Sequence, residues 1–246
     1  MRIHFLGTGA GNFRGSRRQP SSALLEELLL DCGAGATGKL HDLGRFGQVD
    51  AILISHLHSD HVAGLFDFLL HTLITGRKRP LVLISPPGLR AVLRAVFEVK
   101  GTVIDPSHLY DLRVMEGDRI ETTIGRWKVR SVPLDHTILD LGYLLSADGV
   151  TVFYTGDTRE PSPARTLRTD YLIHEATYPD RFAGLAKDYG HSTATQAAKA
   201  AGAMHARRLL INHVGDQPDA EVDIAREAKH VFADTIVTED RLSVDL

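Results

Sequence analysis

Two rhythms of apolar and polar positions alternate along the chain, short continuous apolar runs and longer stretches with helical spacing, and most change-overs carry glycine, proline or a Ser/Thr cap. "MRIHFLGTGAGN" predicts a short strand entering a glycine loop. "SALLEELLLDCG" predicts a strand region despite its two glutamates, with a helix as the other option, and "ATGKLHDLG" predicts a helix stopped by glycine. "VDAILISHLH" is a buried strand and "DHVAGLFDFLLHTLI" a helix. After "GRKRP" the pattern repeats with the strand "LVLIS", the helix "PGLRAVLRAVFEV", the strands "YDLRVMEG" and "WKVRSVPLDH", and a hairpin from "LGYLLSAD" and "VTVFYTGDT". The last third runs strand "DYLIHEATY", helix "STATQAAKAAGAM" from a Ser/Thr cap, strand "ARRLLINHVG" and helix "EVDIAREAKHVF".

This alternation admits two sheets packed face to face with helices outside, in one domain of two similar halves, or a doubly wound single sheet. Polar residues with useful chemistry fall repeatedly at strand ends, where open sheets present their sites. No low-complexity linker or composition change divides the 246 residues, so a single domain over 1–246 is expected.

Composition narrows the function. With 43% hydrophobic and 24% charged residues the chain is an ordinary globular one, and a net charge of −3 excludes the global basic field that drives non-specific nucleic-acid binding. One cysteine, Cys32, forms no internal disulfide. Without a leader or an apolar run of membrane-spanning length, the expected location is the cytoplasm, with no membrane partner.

The densest chemistry is "ISHLHSDH". His56 and His58 alternate on an extended segment and point the same way, while Asp60 and His61 follow at the turn into a helix. Neutral imidazole is the commonest zinc ligand, and two such pairs can serve two neighbouring cations. A dinuclear centre needs further ligands, and His136, Asp157 and His213 each follow an apolar run that would deliver them to the same rim.

In this order the residues resemble the metal motifs of the metallo-β-lactamase superfamily, with Asp31 in "LLLDCG" matching that family's first, supporting aspartate. The resemblance implies an αββα four-layer sandwich and two divalent metals, usually zinc, with manganese or iron also accepted. It places His56, His58 and His136 on one metal, Asp60, His61 and His213 on the other, and Asp157 between them. A water held by both cations is then the expected nucleophile. By the same resemblance Asp31 would orient a ligand or the loop rather than bind metal.

"LIHEATYPD" and "YGHSTATQAA" resemble the His-Glu-Ala-Thr and His-Ser-Thr motifs of the tRNase Z (ribonuclease Z) branch, in which the glutamate orients a histidine that protonates the leaving oxygen. The catalytic set so implied is Asp60, Glu175 and His191. His174 should face the opposite side of its strand. The interval from His136 to Asp157 has only hairpin length, so the tRNA-gripping arm of long bacterial tRNase Z enzymes is absent.

The resemblance therefore implies a metal-dependent phosphodiesterase acting on precursor tRNA or on a smaller phosphodiester. A cyclic phosphodiesterase of the phosphonate-breakdown type shares the compact spacing, although Cys32 alone cannot supply the extra zinc site of those enzymes. Lactone hydrolases carry a tyrosine where Glu160 stands. A non-catalytic metal-binding module is the reading from another class. Arg14, Arg17 and Arg18 are candidate phosphate contacts near the mouth, Arg77, Lys78 and Arg79 form a second basic cluster, and related enzymes suggest a homodimer.

Overall fold

Apolar runs that alternate between two buried faces become the strands of two sheets. The computed structural model describes residues 1–11, 18–99, 102–103, 110–159 and 166–246. The first half of the chain contains β1 (Arg2–Gly7), β2 (Ser22–Leu25), β3 (Leu28–Leu30), α1 (Ala36–Asp42), β4 (Ala51–Leu53), α2 (Ser59–Ile74), β5 (Leu81–Ser85) and α3 (Leu89–Phe97). It ends with the short ribbon of β6 (Glu98–Val99) and β7 (Thr102–Val103), and with β8 (Leu112–Glu116). The second half contains β9 (Glu121–Ile124), β10 (Trp127–Asp135), β11 (Leu139–Ala147), β12 (Val150–Tyr154), β13 (Tyr171–Glu175), α4 (Ala183–Tyr189), α5 (Ala194–Ala203), β14 (Arg208–Asn212) and α6 (Ala220–Val231). It closes with β15 (Thr235–Val237) and β16 (Ser243–Asp245).

Among the described residues two seven-stranded sheets form, in the orders β16-β1-β2-β3-β4-β5-β8 and β15-β14-β13-β12-β11-β10-β9. Period-two alternation assigns side chains to layers. Leu28 and Leu30 join Trp127, Leu141, Tyr143, Ile173 and Leu210 between the sheets. Leu29 faces the other way, with Leu40, Leu65 and Phe68 of α1 and α2. On the second sheet Leu172, Leu209 and Ile211 face the alanines of α5 and Ile224 of α6. The result is helix, sheet, sheet, helix, and the doubly wound single sheet is excluded.

β3 is leucine on both faces, so the apolar pattern alone does not fix its register. Its ends do: residues 26–27 turn the β2–β3 hairpin, and Asp31 directly after it is tied to Ser55. This hairpin settles "SALLEELLLDCG" as strand. The strand expected over "VDAILISHLH" is shorter than its apolar run, because beyond the Ile54 N–H, which still donates to the Ile84 carbonyl, the backbone leaves the ladder; the Ser55 N–H goes to the Asp31 carboxylate at 2.6 Å instead.

β3, β4, β5 and β8 run parallel, as do β12, β13, β14 and β15. Asp31, His56, Asp157, Glu175 and His213 stand at or just beyond C-terminal strand ends. β11 and β12 are joined by Asp148 and Gly149, both at positive φ (52° and 79°), a geometry that matches hairpin twist and turns the chain in two residues. No described residue between His136 and Asp157 is left over for an arm. No helix of the described residues is long and apolar enough to cross a membrane.

Candidate metal centre and acid pair

Four of the five predicted ligand histidines are aimed by what holds their other nitrogen. His56 Nδ1 lies 3.0 Å from Asp140 Oδ1, His61 Nδ1 2.7 Å from Asp31 Oδ2, His136 Nδ1 2.7 Å from the Gly190 carbonyl, and His213 Nδ1 2.9 Å from Thr177 Oγ1. Carboxylates and carbonyls only accept, and the Thr177 hydroxyl spends its proton on Glu175 Oε2 at 2.9 Å. The four Nδ1 atoms therefore donate, and the four Nε2 lone pairs turn inward.

Those lone pairs converge on two points. His56 Nε2 and His136 Nε2 lie 3.0 and 3.2 Å from His58 Nδ1, which forms one triad. His61 Nε2 and His213 Nε2 are 3.2 Å apart, with Asp60 Oδ2 at 3.6 and 3.4 Å, which forms the second. Asp157 Oδ2 lies between them, 3.7 and 3.9 Å from His56 and His136 and 3.4 Å from both His61 and His213. Its Oδ1 is buried and unpartnered.

The electrostatics ask for positive charge at both points. Burial drives His56 well towards its neutral form. Burial also opposes charge on His61, yet the Asp157 and Asp31 carboxylates outweigh it and hold that pKa well above the ordinary value. A dication in place of the His61 proton satisfies the same carboxylates. Facing lone pairs, a shared carboxylate oxygen and mixed His/Asp donors fit two borderline cations, and of the five overlapping candidate metal-ligand groups among the described residues two are the triads the resemblance implies.

The backbone is bent to achieve this. Asp31 and His213 take left-handed conformations (φ 54° and 53°), a cost that surrounding contacts must offset. Gly156, at φ 61°, leaves room for a close approach: a Cβ there would come within 2.6 Å of Asp140 Oδ1. At Gly190, φ 81°, a Cβ would reach 2.7 Å from His136 Nδ1.

Beside the triads stands the acid pair. Glu175, almost fully buried, accepts from the Thr158 N–H at 2.9 Å, the Thr177 N–H at 3.1 Å and the Thr177 hydroxyl, and holds His191 Nδ1 at 3.0 Å. Burial opposes charge on His191, the Glu175 carboxylate more than offsets it, and the pKa rises to about 9. His191 Nδ1 is thus tied down, and its ring lies on the wall of a cavity of about 320 Å³ lined also by His58, Asp60, His136, Asp157 and His213. His174, on the opposite face of β13, donates to the Glu175 carbonyl and leaves a buried Nε2 unpartnered.

The predicted cationic contacts fare differently. Arg14, Arg17 and Glu160 lie outside the described residues. Arg18 bonds Thr8 Oγ1, the Thr238 carbonyl and Glu221, and it is absent from the cavity wall, so its charge is committed to the fold rather than offered to a phosphate. Arg77 is buried against the carbonyls of Val49, Arg79 and Pro80, and Arg79 pairs with Asp50. The basic cluster is therefore largely structural.

A beta-lactamase superfamily domain model matches residues 26–214. The chain belongs to the beta-lactamase superfamily. Within it, this superfamily member is 30% identical to the ribonuclease Z of Bacillus licheniformis, over 98% of this chain and 97% of that enzyme. The alignment runs over 298 positions, so the relative carries residues that this shorter chain omits. Its fold is similar to human tRNase Z, short form, at TM-score 0.82 and 25% identity over 100% and 99% of the two chains. It is also similar in fold to a diphosphatase from the PhnP family, at TM-score 0.74 and 20% identity over 100% and 97%.

Sequence reasoning missed Asp140 and Thr177. Asp140 is fully buried, holds His56 through one oxygen and leaves the other unpartnered. It mirrors Asp31, which accepts from Ser55 N–H and Oγ, Tyr154 and His61. The signal was available: a carboxylate inside an apolar strand needs a partner. Asp140→Ala should weaken cation binding at the His56, His58 and His136 triad by roughly 10–100-fold, with the second triad spared. Asp31→Ala should do the reverse and also lower the melting temperature, since three more buried donors lose their acceptor. Metal titration with a chelating dye checks both; equal loss at both sites in each variant would contradict the pairing.

Proposed function

We propose that this superfamily member is a dinuclear metal-dependent phosphodiesterase that cuts RNA at the 3' end of precursor tRNA. The observation that carries the reading is the Glu175–His191 pair, 3.0 Å apart, on the wall that also carries the two triads. Metal ligands alone suit many hydrolytic reactions. A fixed proton donor beside them suits one with a poor alkoxide leaving group.

His56, His58 and His136 would hold one cation, Asp60, His61 and His213 the other, and Asp157 both. Zinc is the proposed ion, and such cations acidify water and offset charge on phosphoryl oxygens. The chain's own residues do the rest. Asp140, Asp31, Gly190 and Thr177 orient the ligand rings, Glu175 keeps His191 protonated at Nδ1, and the His191 Nε2–H protonates the departing oxygen. A single domain over residues 1–246 belongs to this reading, supported by the continuous core between the sheets. So do a cytoplasmic location and a homodimer; Leu70 and Ile74 expose apolar side chains one turn apart on α2, which supports a pairing face.

A second reading is favoured by the two-residue β11–β12 turn, which leaves no arm to grip an RNA body: hydrolysis of a small cyclic phosphodiester. Metal-loaded protein tested on 3'-extended precursor tRNA and on a ribose cyclic phosphate, with bis(p-nitrophenyl) phosphate as the activity control, separates these readings. Cleavage of the RNA, lost with chelator and in Asp60→Ala, is the expected result. Turnover of the cyclic ester alone supports the second reading. Inactivity on every diester would leave a non-catalytic metal-binding module.

A further inference from the structure

At the lip of the cavity stands an aromatic ring with no structural task. Tyr189 is 59% exposed, its side chain has neither a hydrogen bond nor a ring contact among the described residues, and it lines the same cavity as His191. Its backbone is held just beyond it. The Gly190 carbonyl binds His136 Nδ1 at 2.7 Å, the His191 N–H donates to Ala186 O at 2.7 Å, and Gly190 caps α4 in the left-handed region. Tyr178 lines the cavity too, its ring centroid 6.0 Å from that of His191. Two tyrosines thus share the wall of the proton donor.

The backbone next to Tyr189 is fixed while its ring faces the cavity, and nucleobases stack on exposed aromatic rings irrespective of sequence. Because His191 protonates the departing oxygen, whatever carries that oxygen lies against this wall. We propose that Tyr189, with Tyr178 beside it, is the stacking platform for the base of the nucleoside that carries the leaving oxygen. The inference rests on the phosphodiesterase reading above and sharpens it: the site prefers a nucleoside leaving group to a simple alcohol.

The test uses 3'-extended precursor tRNA, intact or with the base removed from the nucleotide on one side of the cut or the other. Tyr189→Ala should lower kcat/KM on intact RNA roughly ten-fold or more, whereas Tyr189→Phe and Tyr189→Trp stay within about two-fold, since stacking needs the ring and not the hydroxyl. Removing the base from the leaving-oxygen side should slow the wild type by the same factor and abolish its advantage over Tyr189→Ala. An equal deficit of Tyr189→Ala on all three RNAs, or a Phe variant as poor as the Ala variant, would overturn the proposal. If the wild type fails to cut intact RNA, the proposed function falls and this inference with it.

Discussion

Asp157→Ala is expected to cost the protein both cations at once. One oxygen, Oδ2, lies 3.4 Å from two nitrogens of one triad and 3.7 and 3.9 Å from two of the other, so neither site keeps its full donor set without it. Its removal also takes away a buried negative charge that balances the His61 and His213 side. Metal catalysis is worth several kcal/mol, so hydrolysis should fall more than roughly a thousand-fold at 1.36 kcal/mol per decade. Metal content by mass spectrometry checks the cause. Two tightly held cations per chain in the variant would remove Asp157 from the shared position, whatever the activity did.

His191→Ala should give the opposite signature, with cations kept and turnover lost. A placed general acid contributes about 10²–10⁴-fold, or roughly 3–5 kcal/mol. The loss should concentrate on alkoxide leaving groups and nearly vanish with nitrophenolate, which departs without a proton. The pH dependence follows from the same pair. A pKa raised to about 9 favours protonated His191 below that value, and activity should decline as pH rises through it. Cations bound nearby would draw the decline to lower pH. Glu175→Gln removes the charge that holds the proton and should shift the alkaline limb further down; an unmoved limb would show that another group sets it.

How much of this was legible in the sequence depends on whether the signal was local. His56, His58, Asp60 and His61 lie within six positions, and His136, Asp157 and His213 each follow a strand's worth of apolar residues. Strand ends on one rim then bring them together. β9, β15 and β16 were missed because they are short and lack a clean apolar run. Asp140 was missed because the sequence shows that a carboxylate inside an apolar strand needs a partner but not which one, and its partner His56 comes from another sheet and 84 residues away. Arg18 read as a candidate phosphate contact, and Arg77 as part of a basic surface cluster, for the same reason. Their acceptors are the backbone carbonyl of Thr238 in one case and those of Val49 and Pro80 in the other, visible only once the chain has folded.

The most direct test of the account is cleavage of a 3'-extended precursor tRNA by zinc-loaded protein, with the new 3' end mapped and bis(p-nitrophenyl) phosphate run alongside. A single cut directly after the discriminator base, abolished in Asp157→Ala and greatly slowed in His191→Ala, is the predicted result. An intact RNA beside a hydrolysed diester would contradict the tRNA assignment and move the substrate to a small phosphodiester.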